Sequence, residues 1–113
     1  MNASLLLAAA AGVLGVWQPT SRALEPLGPL RLETAAVDWS ICRGAIPRAL
    51  PEAGTYALEG TPGCLLDGRP ISHLRLTARP GNCRAELSLF GSEAELRAGQ
   101  PEAWGLVQRP GCR

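Results

Sequence analysis

The chain contains no lysine, because all 11 of its basic residues are arginine. Against them stand 10 acidic residues, so the net charge is only +1 at pH 7. Nucleic acids and anionic membranes are recognised through an excess of positive charge, and this balance argues against both as partners. Aromatic residues are also scarce, at 4% of 113 residues. A chain this short with so few large side chains needs support beyond its hydrophobic core.

Long apolar runs are absent outside the N-terminus, where Leu5 to Trp17 carries no charge. These 13 residues are fewer than the ~20 of a membrane-spanning helix, and their number is typical of a signal-peptide core. Small residues at Ser21 and Ala23 fit a cleavage site. The sequence therefore predicts a leader over 1–23, a linker over 24–29 and one domain over 30–113. No basic residue precedes the run, which leaves an uncleaved membrane anchor as the alternative.

The four cysteines predict two disulfides. Cleavage after Ala23 would leave 90 residues with ten basic and ten acidic side chains, and all four cysteines would remain. An even number of cysteines in a small exported chain is typical of a disulfide framework in an oxidising compartment. Successive cysteines lie 22, 19 and 29 positions apart, whereas zinc ligands and redox cysteines come in close pairs. We therefore expect structural disulfides and no metal or other cofactor.

The cysteines belong to an internal echo. Residues 30–64 contain Leu-Arg-Leu, Cys-Arg, Pro-Glu-Ala and Pro-Gly-Cys in that order, and residues 74–112 contain the same order with different spacing. A duplicated unit would leave this pattern, although a chance match in a chain of this composition is the alternative. Equivalence of the two copies favours the bonds Cys42–Cys64 and Cys83–Cys112. The pairing Cys42–Cys83 with Cys64–Cys112 is the main competitor.

Alternation of apolar and polar residues predicts an all-β fold. The predicted strands are Leu30–Thr34, Val37–Ile41, Thr55–Glu59, Ile71–Thr77, Ala85–Phe90 and Trp104–Gln108. Asp67-Gly68 is typical of a tight hairpin turn, and Pro80-Gly81 of the turn between the two longest strands. The prolines between Cys42 and Gly54 indicate a loop.

One short helix is predicted after the fifth strand. Ser92 has the spacing of an N-cap with Glu95 three residues on, and Gly99 can end the helix. The segment Leu50 to Tyr56 also resembles a phrase of immunoglobulin-like and prealbumin-like modules, which implies a strand with a buried tyrosine. Together these patterns predict a small antiparallel sandwich or barrel-like domain linked by two disulfides, with two internal repeats as an open hypothesis.

His73 is the only histidine and the natural candidate for acid–base chemistry. It lies within an alternating strand, where adjacent residues point to opposite faces, so we expect its side chain to point away from Ser72. The chain has no G-x-S-x-G elbow to present a nucleophile. We therefore assign no catalytic residue and expect the protein not to be an enzyme.

Trp104 is the candidate for partner contact, because tryptophan is enriched in binding hot spots. Trp39 alternates with Val37 and Ile41 and is predicted to be core. The sequence thus predicts a secreted or periplasmic, non-enzymatic binding or envelope-associated module, whose partner is another protein or an envelope component and not nucleic acid. The alternatives are a small enzyme or enzyme accessory that uses His73, and a structural envelope protein anchored by a retained leader, which alone would contact the membrane.

Overall fold

The computed structural model describes residues 13–112, and its secondary structure is almost entirely β. The strands are β1 Gly15–Pro19, β2 Leu30–Leu32, β3 Val37–Asp38, β4 Cys42–Arg43, β5 Ile46–Ala49, β6 Thr55–Glu59, β7 Gly63–Leu66, β8 Arg69–Ile71, β9 His73–Ala78, β10 Arg84–Phe90 and β11 Ala103–Gln108. One α-helix, α1, spans Glu93–Ala98, and a 3₁₀ turn spans Glu25–Leu27. The all-β prediction is confirmed.

Eight strands form one antiparallel sheet that curls into a nearly closed barrel. The strand order is β3-β2-β1-β11-β10-β9-β6-β5. The two end strands approach each other where the Val37 amide donates to the Ala45 carbonyl, at 3.1 Å. The strands β4, β7 and β8 form a second, smaller sheet. Because the large sheet nearly closes on itself, few of its strand edges are left unpaired. Pairing on both sides therefore helps to stabilise the short strands although the core is small.

Both hairpin predictions are confirmed. β9 pairs with β10 from Ala78–Ala85 to His73–Phe90, on either side of the turn that contains Pro80-Gly81. β7 pairs with β8, and the connecting residues Asp67 and Gly68 have φ values of 51° and 80°. Positive φ at both central residues is what a type I′ turn requires, and aspartate and glycine tolerate it best.

The predicted helix is also confirmed, with its caps. The Ser92 hydroxyl accepts a hydrogen bond from the Glu95 amide at 3.1 Å, and the Glu95 carboxylate accepts one from the Gly91 amide at 2.7 Å. Gly99 ends the helix in the left-handed conformation, with φ of 67°. The Ser92 contact satisfies a helix amide that would otherwise lack a partner, and the Glu95 contact fixes the residue that precedes the N-cap.

The loop predicted between Cys42 and Gly54 is wrong, because this segment contains β4 and β5. β5 includes Pro47 and pairs with β6, where Pro47 lies opposite Leu58. Proline is tolerated there because β5 ends the sheet, so the missing N–H points away from the partner strand. Proline therefore excluded a helix here but did not exclude an edge strand.

The barrel interior contains the inward-facing side chains of all the long strands. Leu74 and Leu76 of β9 and Leu87 and Leu89 of β10 are at most 1% exposed. The other large, fully buried side chains of this core are Trp17, Leu24, Leu30, Leu32 and Val107, whereas Phe90 and Thr55 are buried on the outer face of the sheet. Predominantly aliphatic packing of this kind compensates for the scarcity of aromatic residues.

The N-terminal part of this core lies within the predicted leader. β1 is an interior strand of the sheet, paired with both β2 and β11. Trp17 is 0% exposed, its indole N–H donates to the Val13 carbonyl at 2.8 Å, and the Arg109 guanidinium lies 4.0 Å from its ring centroid. Burial lowers the pKa of Arg109. Residues 1–12 lie outside the described residues, and cleavage of the chain after residue 23 stays a prediction.

The segment predicted to be a linker, residues 24–29, packs onto the barrel. Leu24 is fully buried, and its side chain lies directly over Gly105, where a Cβ atom would come within 3.0 Å of it. The Gly28 carbonyl accepts a hydrogen bond from the indole of Trp39, which is buried as predicted. This segment therefore covers part of the core.

The two disulfides join Cys42 to Cys64 and Cys83 to Cys112, which is the pairing that the internal echo favours. Cys42 and Cys64 lie directly opposite each other on β4 and β7. Cys83 precedes β10 and Cys112 follows β11, and the Arg109 amide donates to the Cys83 carbonyl at 2.8 Å. Antiparallel neighbours bring the start of one strand beside the end of the next. True duplication of residues 30–64 and 74–112 stays a hypothesis.

Candidate functional site

Trp104 lies on the outer face of the barrel, on β11. It alternates with the inward-facing Ala103 and Gly105, and its side chain is 58% exposed. The other four aromatic residues are at most 5% exposed, so Trp104 alone presents an aromatic ring to solvent. An indole exposed to water does not contribute the hydrophobic stabilisation that its burial would provide. The exposed position of Trp104 therefore indicates a role other than core packing.

The sheet register places Trp104 at one end of a row of outward-facing residues. Trp104 lies opposite Ser88 of β10, Ser88 opposite Arg75 of β9, and Arg75 opposite Thr55 of β6. Neighbouring strands are ~4.8 Å apart, so the backbones that carry Trp104 and Arg75 are about 10 Å apart with the small Ser88 between them. The result is a shallow depression between two large side chains.

We call this depression the Trp104 cleft. Its volume is about 350 Å³, and its lining includes Arg75, Thr77, Glu86, Ser88, Pro101 and Trp104. The lining combines a hydrogen-bond donor, an acceptor and two hydroxyls with the exposed ring of Trp104 and the buried ring of Phe90. Pockets of this kind orient a ligand through a few polar groups while an apolar surface contributes contact area.

Arg75 is held in place within the cleft. Its Nε donates to the Thr55 hydroxyl at 3.2 Å, and its guanidinium lies 5.5 Å from the ring centroid of Phe90. None of the ion pairs found among residues 13–112 involves Arg75. Glu86, across the cleft, lies 3.9 Å from the Arg79 guanidinium, which offsets part of its charge. The cleft therefore offers a positioned arginine beside an exposed indole.

A larger groove, of about 850 Å³, lies on the same outer face beside α1. We call it the His73 groove, and its lining includes Arg48, Glu59, Ser72, His73, Glu93 and Arg97. Its outer charges are paired, with 2.9 Å between Arg48 and Glu59 and 2.8 Å between Arg97 and Glu93. The groove thus presents no strong net charge to a ligand.

The expectation that His73 points away from Ser72 is wrong. The Ser72 hydroxyl and the His73 Nδ1 are 2.7 Å apart, a hydrogen-bond distance. Ser72 lies at the break between β8 and β9, where its amide donates to the Phe90 carbonyl and its carbonyl accepts from the Leu58 amide. Strict alternation of side chains holds only inside a continuous strand, so the break lets the two side chains meet.

Within residues 13–112, the Ser72–His73 pair has no orienting carboxylate hydrogen-bonded to the imidazole. A base needs an orienting group, yet no hydrogen bond between a carboxylate and His73 occurs in the described part of the chain. Two carboxylates of the groove, Glu59 and Glu93, bind Arg48 and Arg97 instead. The arrangement is that of a histidine satisfied by a neighbouring hydroxyl.

Arg75 and Ser88 are the site residues that the sequence analysis did not single out. Both alternate with buried leucines in the predicted strands β9 and β10, which marks them as outward-facing. That signal could place them on the outer face, but only the register of three strands brings them beside Trp104.

Neither a metal centre nor a membrane-spanning helix is found among residues 13–112. They contain no group of three or more histidine, cysteine, aspartate and glutamate side chains that could hold a metal ion. No helix among them is long and apolar enough to span a membrane. The chain matches no protein-family model, no curated protein and no solved structure at a significant level of similarity.

Proposed function

We propose that the protein is a small exported binding module without enzymatic activity, and that the Trp104 face is its contact surface. The observation that carries this proposal is the exposure of Trp104, at 58%, in a chain whose other aromatic residues are all buried. Tryptophan side chains of this kind are enriched among the residues that contribute most to binding. The cleft beside the indole adds polar groups that can confer specificity.

Export is supported by the two disulfides. Disulfides form and persist in secreted and periplasmic proteins and are rare where thiols are kept reduced. The bonds close loops with sequence separations of 22 and 29, and loop-entropy estimates for such lengths give ~3–4 kcal/mol each. A domain of this size would therefore depend on an oxidising compartment for its stability, which is what we propose for this protein.

The second candidate is an enzyme or enzyme accessory that uses His73. The hydrogen bond between Ser72 and His73, which both line the His73 groove, favours it. The missing orienting carboxylate argues against it, because a serine–histidine pair gains most of its nucleophilicity from a correctly held imidazole. A binding protein in which His73 is replaced by alanine would keep its partner, whereas an enzyme would lose its activity.

The third candidate, a structural protein anchored by a retained leader, needs the run Leu5 to Trp17 in the bilayer. Val13 and Trp17 are both buried in the barrel, and the same side chains cannot serve both environments. This argument favours a folded, unanchored N-terminal strand. The intact mass of the natural protein tests it, because retention of residues 1–12 is what an anchor requires.

Affinity capture from the secreted or periplasmic fraction of the source organism tests the proposal. Wild-type protein, Trp104→Ala and Leu65→Ala are immobilised at equal density, and bound material is quantified. Leu65 is a matched control because it is 45% exposed on β7, in the other sheet. We expect a component that wild type and Leu65→Ala retain equally and that Trp104→Ala loses by tenfold or more. Equal retention by all three would contradict the proposal.

A further inference from the structure

The Trp104 cleft has the chemistry of a sugar-binding site, and we propose that it binds a neutral pyranose unit of a glycan. The inference rests on the proposed function and names the chemical class of its ligand. A pyranose has an apolar face of C–H groups and a polar rim of hydroxyls. The cleft offers a complementary pattern, with the exposed indole of Trp104 at one wall and polar side chains around it.

The geometry suits a ring that lies between Trp104 and Arg75. The two residues occupy β11 and β9, and the strand between them carries Ser88 at the same level. Two strand spacings amount to about 10 Å, and the short Ser88 side chain leaves the space above β10 open. A sugar ring stacked against the indole would therefore have its hydroxyls within reach of Ser88 and Arg75.

The polar groups of the cleft match an uncharged polyol better than an acid. A sugar hydroxyl both donates and accepts hydrogen bonds, and the cleft supplies a donor in Arg75, an acceptor in Glu86 and hydroxyls in Thr77 and Ser88. A carboxylate or phosphate only accepts hydrogen bonds, so it could bind Arg75 but would leave the Glu86 acceptor, whose charge Arg79 partly offsets, without a donor. Because the cleft holds both hydrogen-bond donors and acceptors, we infer that its ligand is uncharged.

Arg75 is prepared for this role before any ligand arrives. Its Nε is already bound to the Thr55 hydroxyl, and its guanidinium lies against the Phe90 ring. A side chain fixed in this way loses little conformational freedom when it binds, which strengthens binding to weakly attractive groups such as hydroxyls. Arginine would otherwise carry a large entropic cost of immobilisation.

The surroundings of Trp104 do not suit a protein partner equally well. Tryptophan hot spots in protein interfaces are typically ringed by residues that exclude water, and the interface core is depleted of charge. Here the lining includes charged and hydroxylated side chains beside Pro101 and the buried Phe90, and the other exposed large apolar residues lie elsewhere. Ile46 is on β5, four strands away, and Leu65 is in the smaller sheet. Trp104 is therefore the one exposed aromatic ring of a cleft whose other large side chains are mostly polar.

Affinity gel electrophoresis under native conditions tests the inference. The oxidised protein is run through gels that contain hydroxyethyl cellulose, galactomannan or glycol chitin, with polygalacturonate as the acidic comparison. We expect at least one neutral polysaccharide to retard the wild type and polygalacturonate to have no greater effect. The dissociation constant should rise tenfold or more in Trp104→Ala and at least threefold in Arg75→Gln, while Leu65→Ala should bind as the wild type does. Thermal unfolding of each variant confirms that it is folded.

Three outcomes would overturn the inference: no retardation by any neutral polysaccharide, equal retardation of Trp104→Ala and wild type, or retardation by polygalacturonate alone. Failure of the glycan inference is distinguishable from failure of the proposed function. If the neutral polysaccharides have no effect but Trp104 is still needed to capture a protein, the ligand class is wrong and the contact surface stands. If Trp104→Ala also captures everything that the wild type does, the contact surface itself is wrong.

Discussion

Replacement of Trp17 by alanine should cost far more stability than replacement of Trp104. Both are strand tryptophans of the same barrel, but Trp17 is 0% exposed and Trp104 is 58% exposed. Truncation of a fully buried tryptophan typically costs ~3–5 kcal/mol, because transfer free energy is lost and a cavity remains. Trp17 also accepts the Arg109 guanidinium over its ring, at 4.0 Å, and donates to the Val13 carbonyl. We therefore expect a loss near the top of that range, about 4–5 kcal/mol.

Thermal unfolding followed by circular dichroism measures the difference. For a domain of this size, 1 kcal/mol corresponds to ~4–8 °C in Tm, so Trp17→Ala should lower Tm by about 15 °C or more. Trp104→Ala is the matched control and should stay within about 0.5 kcal/mol of the wild type, because surface substitutions rarely do more. Disulfides must be intact in both variants, which non-reducing mass spectrometry checks.

A result in which both variants unfold together would refute the reasoning. It would mean that β1 is not an interior strand and that Trp17 contributes no core packing. A chain that begins at Leu24 sharpens the test, because it lacks β1 entirely and leaves β2 and β11 without their common partner. We expect that chain to show no cooperative unfolding transition, whereas a chain that begins at Val13 should keep one.

Further predictions concern single features of the fold. Burial raises the pKa of Tyr56, the only tyrosine, so its tyrosinate absorbance should appear at higher pH in the native than in the denatured protein. The part of the free energy of unfolding that depends on this shift is fully present below the ordinary tyrosine pKa and is lost as pH rises through the folded-state pKa. Titration of the native and denatured proteins at the same pH would contradict this expectation. Gly54→Ala should cost about 1–3 kcal/mol more than Gly68→Ala in urea unfolding. Both glycines have positive φ, but only at Gly54 would a Cβ collide with backbone, at 2.0 Å from the Leu76 carbonyl oxygen. Equal costs would exclude that collision. Ser92→Ala should cost ~1 kcal/mol through the lost N-cap, and no change in the midpoint would show that the cap is dispensable.

Local chemistry explains what the sequence could predict about the fold. The turn at Asp67-Gly68 and the cap at Ser92 each depend on a few adjacent residues with special backbone or hydrogen-bonding properties. The hairpin of β9 and β10 combines such a turn with clear alternation on both sides. Features that short segments determine by themselves are visible in sequence, and these were correct.

Features that depend on distant partners were missed. The residues of β1 form part of an apolar run, which has the same composition as a leader and as a buried strand. A leader and a buried strand differ here only in whether the segment pairs with β2 and β11. The pairing with β11 joins Gln18 to Gln108, about 90 positions away in the sequence. β5 was missed for a related reason, because Pro47 is acceptable only if its strand lies at the end of a sheet.

In the candidate site, too, the residue types could be predicted from the sequence, but the contacts between distant residues could not. The choice of Trp104 followed from its residue type, but its exposure depends on the sheet having solvent on that side. The contact between Ser72 and His73 could not be foreseen, since it arises where the strand breaks. The row that joins Trp104 to Arg75 depends on the register of three strands, which a single residue's shift would destroy.

Residues 13–23 belong both to the folded barrel and to the predicted leader, so they matter for how the chain is exported. Cleavage after Ala23 would release β1 together with the leader, and the remaining chain would lose Trp17 from its core and the ring on which Arg109 lies. A leader that ends before Val13 would leave this barrel complete, whereas the predicted cleavage after residue 23 would remove an interior strand; the cleavage position stays a prediction. The intact mass of the protein recovered from its natural compartment distinguishes the two cases directly. A chain that starts at Leu24 and still unfolds cooperatively would show that the mature domain is built without β1, and β11, which carries Trp104, would then lack β1 as its neighbour.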